Sequence, residues 1–117
     1  MYRKELQRRT KQFAEYCIKK SVTLPKDSLG EYIRRHLIDC SSRIDSSFDT
    51  ASRALSGQGF AFQLKDVIER TGECLFWWHL AIDEKLIKEE SISPLLDEAN
   101  ELRDLFSASR KALMASS

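Results

Sequence analysis

Glycine and proline are scarce in this 117-residue chain, four and two respectively, and no glycine run is followed by Lys-Ser or Lys-Thr. A phosphate-cradling Gly-rich loop is therefore excluded. Long apolar runs are missing too. The longest uncharged, mostly apolar stretch, Cys74 to Ile82, is about half of what a bilayer crossing needs, so no segment spans a membrane and no membrane partner is expected. The opening "MYRKELQRRT" is charged throughout and has no apolar core, which excludes a secretory signal there. The three cysteines (Cys17, Cys40, Cys74) are an odd number without a CxxC pair. Their simplest account is free thiols packed as small hydrophobes in a reducing compartment, and a cytoplasmic location is expected. Nothing alternates with period two over a useful length, so no strand is predicted.

What is present is helical periodicity, with 42% apolar and 32% charged residues. The first helix is predicted from about Tyr2 to Val22, with Tyr2, Leu6, Phe13 and Cys17 on one stripe. "TLPKDSLG" breaks it: Pro25 stops the helix and Asp27 or Ser28 caps the next. Leu29, Ile33, Leu37, Cys40, Ile44, Phe48, Ala51 and Leu55 follow at spacings 4-4-3-4-4-3-4. That eleven-residue repeat lies close to the natural helix period and suits a long, nearly straight second helix. "SGQG" (Ser56 to Gly59) is read as a hairpin turn. The third helix is expected from about Phe60 to Ile87, with Leu64, Val67, Thr71, Cys74, Trp78 and Ala81 on one stripe and Ile68, Leu75 and Ile82 beside it. Ser93 and Pro94 are read as N-cap and first position of a fourth helix reaching about Met114. It carries Leu95, Ala99, Leu102, Phe106 and Leu113. Four helices of this length joined by short links make an all-α, up-down-up-down antiparallel four-helix bundle, one domain over residues 1–117.

Two adjacent tryptophans sit in "CLFWWHLA". Neighbours on a helix point about 100° apart, so one stripe cannot bury both. Trp78 shares the stripe of Cys74 and Ala81 and belongs in the core. Trp77 shares its face with Arg70, Glu73 and Glu84, so a neighbouring helix or another subunit must cover it. We expect Trp77, with Phe76, at an oligomer interface, because tryptophan is enriched there.

Catalytic chemistry is hard to assemble. His36 precedes Asp39 and Cys40, and His79 precedes Asp83, at one-turn spacings, but HExxH and ExxH are absent and no third ligand presents itself. Arg70 and His79 stand too far apart for the Arg-His motif of compact helical (HEPN-type) ribonucleases. No catalytic residue, metal or cofactor is therefore expected. The net charge of +1 hides an asymmetry: Met1 to Arg35 holds ten Lys/Arg against four acids, and Asp83 to Asp104 holds eight acids against three bases. Such polarity suits a polyanion-facing surface, or contact between copies. Lys4, Arg8 and Lys11 recur on one face of the first helix, with Arg3, Arg9, Lys19 and Lys20 nearby and Arg34 and Arg35 beyond the link. Phosphate contacts of this kind give salt-sensitive affinity without sequence reading. These nine residues are the candidate nucleic-acid-binding set.

Three stretches carry a resemblance. "GECLFWWHLAIDEKLI" (Gly72 to Ile87), "LPKDSLG" (Leu24 to Gly30) and "IRR" (Ile33 to Arg35) are similar to motifs of a bacterial four-helix bundle family. That family was first noticed in intervening sequences of large-subunit ribosomal RNA genes. It includes the accessory variability protein (Avd) of diversity-generating retroelements. Glu73 and Ala81 stand at the matching separation, and Leu86-Ile87 fall close to the closing apolar pair. "DCSSRIDSS" (Asp39 to Ser47) departs from the family's Ser-Ile-x-x-Asn-Ile-x-Glu-Gly, keeping Ile44 alone. The resemblance implies a homo-oligomer, typically a pentameric ring with a basic surface, which in the retroelement branch binds a reverse transcriptase and its template RNA. A non-enzymatic accessory protein of that kind is the expected function. A structural or protein-interaction bundle with no nucleic-acid role is the alternative.

Overall fold

Four apolar stripes in one chain satisfy each other by closing into a bundle. In the computed structural model of the protein, which describes residues 2–115, they form α1 (Tyr2–Ser21), α2 (Ser28–Ser52), α3 (Gly57–Asp83) and α4 (Glu89–Ala115). Each helix packs on its chain neighbours and α1 closes against α4. The diagonal pairs, α1 with α3 and α2 with α4, keep their Cα atoms more than 8 Å apart among the described residues. This is the predicted up-down-up-down antiparallel bundle, 48 Å long and 20 × 20 Å across. At its lower end α1 begins, α2 turns into α3 and α4 finishes; the α1–α2 and α3–α4 links form its upper end.

The stripes are buried where the periodicity places them, with two kinds of exception. Ile33 through Ala51 of α2 and Leu64 through Ala81 of α3 are sealed, as are Leu95, Ala99, Leu102 and Phe106 of α4. The stripe ends emerge: Leu29, Leu55 and Tyr2 are exposed because the bundle runs out of partners at its tips. Thr10, Ser41 and Thr71 are buried hydroxyls that donate back to the carbonyls of Leu6, Leu37 and Val67 at 2.6, 2.6 and 2.8 Å, which satisfies them without a partner helix.

Three boundaries differ from expectation. α2 stops at Ser52, and Ser56 caps α3 by accepting the Gly59 N–H at 3.0 Å. "SGQG" thus opens a helix rather than forming the turn, because a serine N-cap outweighs the weak helix preference of two first-turn glycines. α3 ends at Asp83, not Ile87. Lys85 takes φ 60°, its N–H donates to Ile82 O at 2.9 Å, and Leu86 N–H donates to Ala81 O at 2.9 Å. That is a Schellman stop, completed by Leu86 folding back on the core. α4 starts at Glu89, so Ser93 is not its cap and Pro94 lies inside it. Proline there forfeits only the bond to the carbonyl of Glu90, an exposed residue in the first turn.

The α1–α2 link is fixed from both sides. Asp27 accepts the Gly30 N–H at 2.7 Å and caps α2, and Leu24 is buried. Arg34 Nη2 donates to the carbonyls of Leu24 and Pro25 at 2.8 and 3.1 Å.

Candidate interaction surfaces

Trp78 is fully buried in the bundle core, as its stripe requires. Trp77 is half-buried, and helix α2 of the same chain covers one of its faces. The His36 ring stacks on it at 4.1 Å between centroids with 12° between planes, and Tyr32 meets it edge-on at 5.6 Å. Phe76 also meets it edge-on, at 5.0 Å, yet stays 58% exposed. The antiparallel pairing of α2 and α3 assembles this group, because it brings the start of α2 alongside the end of α3. Tyr32 and His36, one turn apart, flank the buried Ile33 and Leu37. That flanking position was the available signal for two residues that the sequence reading did not join to Trp77. The result is an aromatic face near the upper end, with Tyr32 and Phe76 open to solvent.

The nine basic residues do not converge. Arg3 donates to the carbonyls of Ser52 and Ala54 and lies over the Phe60 ring at 4.1 Å, so it closes the end of α2 against α1. Arg9 reaches α4, bonding Glu98 at 2.6 Å and Glu101 at 3.0 Å; those carboxylates hold its guanidinium in the charged form. Arg34 is the clamp of the α1–α2 link. Arg8 is exposed but paired with Glu5 at 2.6 Å, and this pairing draws the Glu5 carboxyl below its ordinary range. Lys4, Lys11 and Lys19 are exposed on the outer face of α1, Lys20 is half-buried, and Arg35 is exposed on α2. Part of the charge asymmetry is therefore internal complementarity, since the basic α1 lies beside the acidic first half of α4. Outside that pairing, Gln12, Glu15, Tyr16, Lys19, Lys20 and Thr23 line an open groove of about 470 Å³ near the upper end of α1.

The thiols meet inside. Cys17, Cys40 and Cys74 come from three helices and are all buried. Cys17 Sγ lies 3.9 Å from Cys74 Sγ. Hydrogen bonding with the Cys17 and Cys40 thiols, reinforced by burial, pushes the Cys74 thiol well up. His79 is exposed on α3 and His36 is taken up by stacking. Among the described residues no group of three His, Cys, Asp or Glu is placed to hold a metal ion, and no described helix is long and apolar enough to cross a membrane.

Compared with protein families, with curated proteins and with solved structures, the chain gives no match. The likeness to the intervening-sequence and Avd family accordingly stands on the link, Ile33–Arg35 and third-helix motifs alone.

Proposed function

We propose that this protein is a non-enzymatic accessory bundle that assembles with copies of itself and works by holding other macromolecules. One observation carries the reading: the Tyr32–His36–Trp77–Phe76 face, whose tryptophan keeps one side on α2 while Phe76 stands largely in solvent. Aromatic side chains give large contact area at little entropic cost. In the retroelement form of this proposal, the assembly binds RNA through the outward cations of α1 and docks a reverse transcriptase. Exposed Lys4, Lys11 and Lys19, with Tyr16 between them, support that form, and assembly would repeat the stripe and make its contacts multivalent.

A second reading, an interaction bundle without a nucleic-acid role, is favoured by a different observation. Arg3, Arg9 and Arg34 are occupied by neighbours within the chain, and Glu5 neutralises Arg8.

Solution mass by light scattering tests the shared premise. Five copies of the 13.5 kDa chain scatter as about 67 kDa, and Phe76→Ser should lower the mass without loss of helicity. A wild-type monomer overturns the assembly reading. If Arg8→Glu with Lys11→Glu abolishes salt-sensitive RNA retention, the retroelement form stands; no retention by wild type selects the second reading.

A further inference from the structure

The two ends of the bundle differ in charge. In the last two turns at the lower end, together with the α2–α3 link, six bases (Arg3, Lys4, Arg8, Arg53, Arg110, Lys111) face two acids, Glu5 and Asp49. Both acids are already bound, to Arg8 and Arg53. Lys4, Arg110 and Lys111 have no acidic partner among the described residues. The corresponding turns and links at the upper end balance, with six bases against seven acids.

The basic end also displays exposed apolar side chains. Leu55, in the α2–α3 link, is completely exposed, and Phe62 is 73% exposed one and a half turns into α3. Tyr2 and Met114 are exposed on α1 and α4. They lie on the lowest turns of α1, α3 and α4 and in the α2–α3 link, and the cations belong to the same turns and link. Val22 and Leu29 are exposed at the upper end as well, but without a surplus of positive charge.

We propose that the lower end is a docking surface for an anionic lipid bilayer. The mixture of charge and apolar surface decides between occupants. A second copy docked end to end through this face would set like charge against like. A nucleic acid would use the cations and the aromatic rings but leave Leu55 in water. A bilayer surface takes both features at once: anionic headgroups meet Lys4, Arg110 and Lys111, while Leu55 and Phe62 enter the boundary region, which admits side chains to a depth of roughly 5–10 Å. The expectation of no membrane partner rested on the lack of a spanning segment, which an end-on contact does not require.

Flotation of the full chain tests the proposal, with vesicles of phosphatidylcholine alone and of phosphatidylcholine containing a third phosphatidylserine. The chain should float with the phosphatidylserine vesicles only, and less as salt rises. Leu55→Ser with Phe62→Ser should weaken partitioning on the order of tenfold, and Lys4→Glu with Lys111→Glu should remove it. Val22→Ser at the other end should leave it unchanged. All five positions are exposed, so the variants keep the fold, and circular dichroism verifies this. No flotation of the wild type overturns the proposal, as does flotation that the tip variants do not alter. If the Leu55→Ser, Phe62→Ser pair changes solution mass or RNA retention, with no vesicle binding, the occupant is a different one and the proposal is overturned too. Phe76→Ser should alter mass and not flotation, so this surface and the aromatic face fail or survive separately.

Discussion

Gly30 is held to glycine by contact rather than by backbone angle. A Cβ at this position would run into the Pro25 carbonyl, because the link folds tightly back over the first turn of α2 under the Asp27 cap and the Arg34 clamp. The "LPKDSLG" motif is thus a packing device. Asp45 shows the opposite situation, a residue tolerated at a cost. It faces Gln7, Lys11, Ser42 and Asp49 in the polar groove between α1 and α2, and burial pushes its carboxyl up against the lowering pull of Lys11. A raised native value means that the folded state holds the proton more tightly than the unfolded chain. Its stabilising effect is therefore complete below the ordinary Asp range and lost as the pH climbs through the native value. Asp45→Asn should accordingly melt higher than the parent at pH 7, with the gain shrinking as the pH is taken below about 4. Thermal unfolding followed by circular dichroism at both pH values reads this directly.

At the scale of the helix, chemistry at the ends decided more than periodicity did. Ser56 captured two glycines for α3, and the turn at Lys85 cut the same helix short of Ile87. Lys85 is the one described non-glycine residue at positive φ, a conformation that costs an L-residue roughly 1 kcal/mol or more. Glycine avoids that cost but gives up some chain entropy. Lys85→Gly should therefore stabilise the bundle by about 0.5–1 kcal/mol, seen as a higher denaturant midpoint at unchanged slope. A loss of stability would mean that the lysine's aliphatic stem contributes more by packing on the link than the turn takes away.

Across the whole molecule, the diagonal of the bundle governs the thiols. Cys17 and Cys74 touch at 3.9 Å, but their helices, α1 and α3, bring no Cα atoms within 8 Å. A disulfide needs Cα atoms roughly 4.4–6.8 Å apart, so this pair cannot close without moving a helix. Cys74, its thiol pushed well up by its two neighbours, also supplies little thiolate to start the exchange. Under native conditions the three cysteines should resist both a thiol reagent and oxidative cross-linking of Cys17 to Cys74. In denaturant all three should titrate. A Cys17–Cys74 cross-link formed in the folded protein would show that α1 and α3 approach one another transiently.

Much of the fold was legible because helical spacing is a local property. Ile33, Leu37, Ile44 and Phe48 announce one face of α2, and Trp78 its place in the core, wherever the other helices lie. The sequence by itself determined the helices, their stripes, the short links and hence the antiparallel bundle. Only the tertiary structure decided what each exposed group meets. It stacked His36 on Trp77, spent Arg3, Arg9 and Arg34 within the chain, gathered three distant thiols, and left uncompensated cations at the same end as exposed Leu55 and Phe62. The reason is physical: burial along a stripe follows from its own period, whereas charge pairing and ring contact depend on which residues of other helices arrive at the same height.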